Sequence, residues 1–105
     1  MGAKKRPRPK LAATKLLMIR EEYNASQSQI AYALKVKTVA RISEYEHGVR
    51  EANVLMLLSY ARLARIPLES LVDDKINLIQ FRNLLAMKER FIDSRQRFVT
   101  RRRSG

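Results

Sequence analysis

Between Leu11 and Val72 the apolar positions recur every three or four residues, and no stretch sustains a two-residue alternation. That spacing predicts amphipathic helices rather than strands. Leu11, Leu16, Leu17 and Ile19 mark a first helix that ends near Tyr23, where Asn24 is placed to take a left-handed C-cap. Ser26 followed three residues later by Gln29 is a capping box, in which serine and glutamine each satisfy a free backbone amide of the other. It opens a second helix, Gln27 to Leu34, with Ile30, Ala31 and Leu34 inward. Thr38 is the next N-cap and opens a third helix, Val39 to His47, with Ile42 and Tyr45 inward, and Gly48 ends it where a left-handed residue costs least. Asn53 caps a fourth helix, Val54 to Ala64, and Pro67 leads into a fifth, Leu68 to Val72.

Five short helices in about 60 residues make an all-α domain. The second and third are too short to persist alone, so they must pack on the first and fourth. Ala31 faces the third helix at the point of closest approach, where a larger side chain would push the pair apart. Two such helices joined by a tight connection form a helix-turn-helix, in which the first helix crosses a DNA backbone and the second enters the major groove.

Beyond Asp74 the pattern changes. Leu78, Phe81, Leu85, Ile92 and Val99 fall near one stripe, with Leu84, Phe91 and Phe98 beside it, and Arg82, Lys88, Arg90, Arg95 and Arg97 fill much of the rest. With no proline or glycine from 75 to 103, this predicts a long amphipathic helix over 75–99. Three roles fit it: dimerisation through Leu78, Phe81, Leu85, Phe91 and Ile92, packing back on its own domain, or lying on a membrane surface. The organisation that follows is a disordered basic arm (1–10), a helix-turn-helix domain (11–74), the amphipathic helix (75–99) and a basic tail (100–105).

Charge sharpens this division. The chain carries 22 Lys and Arg against 10 Asp and Glu, a net charge of +12. Residues 1–10 contribute +5 and residues 75–105 contribute +7, while 11–74 hold eight basic and eight acidic side chains. A neutral middle with two basic ends has the electrostatic outline of a polyanion binder; the blander reading of the ends is solvated tails that aid solubility. At 105 residues there is room for one compact domain. The absence of cysteine excludes disulfides and thiolate zinc sites, and one histidine gives a metal cluster little to build on. There is no phosphate-binding glycine loop and no nucleophile elbow, so neither an enzyme nor a cofactor is expected. No apolar run is long enough to span a bilayer, and a cytoplasmic, nucleoid-associated protein is expected.

The segments SQSQIAYAL, TVARISEYEHGVRE and NVLMLLSYARLARIPLESLVDD, in that order and spacing, resemble the phage repressor/Cro-type (XRE-like) helix-turn-helix family. The resemblance covers roughly Leu16 to Asp74. It departs from the family at Lys35, where a glycine is usual, and in a turn, Lys35-Val36-Lys37, that is one residue longer. The resemblance implies a transcriptional regulator of repressor type that reads double-stranded DNA. It places Val39, Ala40 and Glu44 at base-reading positions, with Ser43 on the same face of the third helix. Ala40 suits a thymine methyl and Glu44 a cytosine amino group. Phosphate contacts fall to Gln27 at the start of the second helix, Lys35 and Lys37 in the turn, and Thr38, Arg41 and Arg50 around the third helix. Arg20 and Glu46 match a family ion pair that ties the first helix to the third. Tyr23, Tyr32 and Tyr60 are expected to pack rather than stack on bases.

The expected partners are double-stranded DNA and a second copy of the chain, since two copies about 34 Å apart would read a near-palindromic site. Two other functions share these features. One is an architectural DNA-binding protein of low specificity. The other is an antitoxin-like adaptor that engages a protein partner through its C-terminal helix.

Overall fold

A computed structural model describes residues 9–87. Among these residues there are helices and no strands: α1 (Ala12–Glu22), α2 (Gln27–Leu34), α3 (Val39–Glu46), α4 (Val54–Ala64), α5 (Glu69–Val72) and α6, which begins at 78 and continues to 87. No described helix is long and apolar enough to cross a membrane. The expected bounds of α1 to α5 hold to within a residue, with α3 ending at Glu46 and His47 serving as its C-cap, whereas α6 starts at 78 rather than at the expected 75.

Four helices end in one way. After α1, α2, α3 and α4 the chain passes through a left-handed residue, namely Asn24, Lys35, Gly48 and Arg65, with φ between 53° and 73°. At each, the left-handed amide and the next one turn back to the carbonyls of the last helical turn. Gly48 N–H donates to the Tyr45 carbonyl at 3.2 Å and Val49 N–H to the Glu44 carbonyl at 2.9 Å, the Schellman arrangement. Helix starts vary more. The Ser26–Gln29 capping box forms in both directions at 3.0 and 2.8 Å, and Asn53 Oδ1 accepts from Met56 N–H at 2.8 Å. Thr38 has the extended backbone of an N-cap, but its side chain makes no capping hydrogen bond. Asn77 and Gln80 form a second reciprocal box that starts α6.

The core gathers Leu16 and Ile19 of α1, Ile30 and Ala31 of α2, Ile42 and Tyr45 of α3, Leu57 and Tyr60 of α4, and Leu71 of α5. α2 and α3 pack on each other, and α1 lies against α3, α4 and α5. The core does not stop at Asp74: Phe81 is 0% exposed and Leu85 is also buried in it. This corrects the expectation of a free dimerisation stripe. Phe81 and Leu85 are part of the interior of their own chain, Leu78 is half-buried, and the packed unit extends past residue 74 into α6. Of the three roles considered for this segment, the described part takes the packed-back one. Phe91 and Ile92, the rest of the helix expected over 75–99, the arm up to residue 8 and the 100–105 tail lie outside the described residues.

Two residues without an assigned role in the sequence hold α1 in place. The Lys15 side chain is fully buried. Its Nζ donates to the Ser70 carbonyl at 2.7 Å and the Asp73 carbonyl at 3.1 Å, and lies 5.5 Å from the centre of the Phe81 ring. These are carbonyls in and just past α5, so the ammonium meets the negative end of a helix and an aromatic face together. Asp74 acts at the start of the same helix. Its carboxylate accepts from Lys10 N–H at 2.8 Å and Leu11 N–H at 3.1 Å, capping a helix whose own N-terminal residue offers no side-chain cap. Those two amides, more than any nearby charge, hold the Asp74 carboxyl below its ordinary value.

Burial lowers the Lys15 pKa from 10.5, against the pull of Asp74 and Asp73. Between the lowered value and 10.5 the unfolded chain keeps a proton that the folded chain has released, so this lysine's contribution makes stability rise with pH in that window. Lys15→Ala should cost about 2–4 kcal/mol from lost packing and two stranded carbonyls. In urea melts at several pH values, the gap between wild type and variant should widen toward pH 10.5. An equal gap at every pH would mean that the ammonium is not buried in the native protein.

Candidate nucleic-acid interface

The outward face of α3 follows from its inward one. Ile42, Tyr45 and Glu46 are buried, and at 100° per residue this leaves Val39, Ala40, Ser43, Glu44 and His47 on the other side. Val39, Ala40 and His47 are exposed, and Ser43 and Glu44 are half-buried. Ser43 and His47 lock to each other one turn apart. His47 Nδ1 lies 2.8 Å from the Ser43 carbonyl and 3.3 Å from Ser43 Oγ. A carbonyl only accepts, so Nδ1 is the donor in the 2.8 Å contact.

Lys35, Lys37 and Thr38 precede α3 and are exposed, and Arg41 is half-buried on its flank. Cations and the unpaired amides of a helix start therefore occur together at the α3 N-terminus, an arrangement suited to anionic oxygen. Arg50 is exposed in the loop beyond α3, yet it is drawn back to the helix. Its Nε donates to Glu44 Oε1 at 2.8 Å, and its backbone N–H reaches the Glu44 carbonyl at 3.2 Å. Arg41 Nε lies 3.8 Å from the same Glu44 oxygen. The bond to Glu44 raises the Arg50 pKa, and the guanidinium stays charged.

Behind this face lies a polar cluster that fixes it. Arg20 Nε donates to Glu46 Oε2 at 2.7 Å and Nη2 to Oε1 at 3.1 Å, while Nη1 donates to the Ala25 carbonyl at 3.0 Å. Gln27 Nε2 donates to Glu46 Oε1 at 3.1 Å. The Glu46 side chain is only 2% exposed, so one carboxylate joins α1, the first residue of α2 and the last residue of α3. Gln27, placed among the phosphate contacts by resemblance, thus has its amide nitrogen turned inward to Glu46. Tyr60 sits fully buried nearby, and its hydroxyl finds no hydrogen-bond partner among the described residues. Burial, reinforced by the Glu46 charge, raises its pKa.

Several residues differ from their expected roles. Tyr32 is 88% exposed, because Ile30, Ala31 and Leu34 take the inward arc of α2 and leave it on the opposite side. Tyr60 packs as expected, and Tyr23 is half-buried with its hydroxyl donating to the Leu63 carbonyl at 3.1 Å. The link from Arg50 to Glu44 is not readable from helical spacing, because Arg50 lies outside the helix. Lys35 carries its cation in a backbone conformation that glycine adopts without cost. Among the described residues no group of three or more His, Asp or Glu side chains could hold a metal ion. Compared with known proteins, the chain matches no protein family, no curated protein and no solved structure.

Two variants test how the face is held. Glu46→Ala leaves the Arg20 guanidinium partly buried without its carboxylate and should cost about 3–5 kcal/mol in chemical denaturation. A loss under about 1 kcal/mol, the range of exposed pairs, would show that the cluster is open to water. Lys35→Gly relieves a left-handed side chain and should raise stability by about 1 kcal/mol, even as it removes a positive charge.

Proposed function

We propose that this chain is a sequence-specific, double-stranded DNA-binding regulator of repressor type, with α2 lying across the phosphate backbone and α3 in the major groove as the two helices of a helix-turn-helix. The observation that carries this reading is the outward face of α3. Short side chains, Val39, Ala40 and Ser43, are open to contact there, with Lys35, Lys37 and Thr38 at one end and Arg41 and Arg50 alongside. Small residues let a helix approach base edges closely, and flanking cations supply the sequence-independent attraction that fixes register. The protein acts by occupancy rather than by chemistry. Membership of the XRE-like family belongs to this reading, which rests on the resemblance of Leu16 to Asp74 and on the α2–α3 packing.

Two copies on a near-palindromic site complete the reading, because one such helix spans too few base pairs to select a site. Their contact does not use Phe81 or Leu85, whose side chains are committed to the core. The basic ends at 1–10 and 75–105 add affinity without selectivity.

Selection of bound duplexes from a random pool, followed by titration at several salt concentrations, tests the proposal. One sequence class should be enriched. Lys35→Ala and Lys37→Ala should each reduce the slope of log affinity against log salt by about 0.9, with the ranking of sequences unchanged. Ala40→Val should change the ranking instead. Enrichment of no sequence class, with binding intact, would favour the low-specificity architectural reading, and no binding to any duplex would favour the adaptor.

A further inference from the structure

Glu44 is an odd residue to find on a surface that faces phosphates. An unpaired carboxylate there would repel the duplex, and as a base reader it would have to turn an oxygen to the groove. Its surroundings point to a third role, because the carboxylate is already engaged by a neighbouring arginine. Oε1 accepts from Arg50 Nε at 2.8 Å and lies 3.8 Å from Arg41 Nε. The Glu44 backbone carbonyl accepts from the Val49 and Arg50 amides, at 2.9 and 3.2 Å. Arg50 is therefore held to one residue at two points, through its backbone and its side chain. Gly48 makes this possible, because its φ of +73° turns the chain back onto the last turn of α3.

We infer that Glu44 is a positioning residue: it holds the Arg50 guanidinium beside α3 for a phosphate of the bound duplex, and does not itself read a base. This deepens the proposed DNA-binding function and rests on it. The Nε contact uses one donor of the guanidinium and leaves its two terminal nitrogens open to a bidentate acceptor such as a phosphate. Arg50 lies in the loop past the helix rather than on its outward face, which favours backbone over base edge. With Glu44 between them, Arg41 and Arg50 present a net charge of +1 rather than a mutually repelling pair. The carboxylate trades Coulombic attraction to DNA for a fixed direction of approach, and so reduces the side-chain entropy that Arg50 loses on binding.

The test is a double-mutant cycle on the full chain with Glu44→Ala, Arg50→Ala and the double variant, titrated against a preferred duplex and a panel of altered ones. Glu44→Gln serves as a further single variant. Removing a negative charge from a DNA-facing surface should tighten binding if charge alone mattered. Positioning predicts the opposite: Glu44→Ala should weaken binding to every duplex alike by about three- to fivefold. Arg50→Ala should weaken it more, and Glu44→Ala should cause no further weakening when Arg50 is already absent. In the free protein, the Arg50 Nε–H resonance should be slowed in exchange and shifted downfield, and should lose both properties in Glu44→Gln. Tighter binding by Glu44→Ala, independent losses from the two single variants, or a changed ranking of duplexes would each overturn the inference. An intact Nε–H signature in a protein that binds no duplex would instead locate the failure in the DNA-binding reading, and the inference would fall with it.

Discussion

The buried carboxylate of Glu46 is the constraint on which the geometry of the α3 face depends. It accepts two hydrogen bonds from Arg20 and one from Gln27, and Arg20 also holds the Ala25 carbonyl at the α1–α2 turn. A charge taken out of water has to be surrounded by donors, and those that surround Glu46 come from α1 and α2 and so tie both helices to α3. Hydrophobic contact among Ile19, Ile30 and Ile42 would tolerate a small sliding of the helices, because apolar attraction has little direction. A forked guanidinium against a carboxylate does not tolerate it. The pair contributes orientation more than net stability, and the proposed fit of α3 into a groove would draw on that orientation.

Most of the helical framework was legible in the chain because each helix announces itself locally. Ser26 and Gln29 lie three residues apart, Asn53 precedes an apolar run, and Gly48 and Asn24 fall where helices must stop. Asn77 with Gln80, the same kind of signal, starts α6 at 78, where the apolar pattern alone suggests 75. What stayed hidden depends on distance along the chain. Lys15 in an amphipathic segment looks like any solvated cation, and only the fold brings it to carbonyls 55 and 58 residues away. Asp74 looks like the end of α5, yet it caps α1 from 63 and 64 positions downstream. The stripe of Leu78, Phe81 and Leu85 was recognised as apolar, but periodicity identifies a face that must be covered and not what covers it. The candidate site divides the same way. The outward set Val39, Ala40, Ser43 and Glu44 follows from the placement of Ile42 and Tyr45, whereas the engagement of Glu44 by Arg50 requires the loop geometry set by Gly48.

Under the proposed DNA-binding role, Lys35 is a compromise between folding and function. The connection between α2 and α3 needs a left-handed residue, and glycine meets that need without strain. The chain instead places a lysine there, next to Lys37 and at the entrance to the α3 N-terminus. Local strain of this kind persists where the surrounding structure over-determines the backbone, here through the Lys35 and Val36 amides returning to Tyr32 and Ala31.

Lys15 also bears on the order in which the protein can be completed during synthesis. The ribosome releases α1 first, but the groups that accommodate its ammonium, the Ser70 and Asp73 carbonyls and the Phe81 ring, emerge only well after it. Until then Lys15 has every reason to remain in water, and α1 cannot settle against the rest of the core. Among the described residues, the core is thus closed by α6 rather than seeded by α1. Such late closure makes folding one cooperative event that involves both ends, and it ties the appearance of a competent α3 face to the arrival of residues that never touch it.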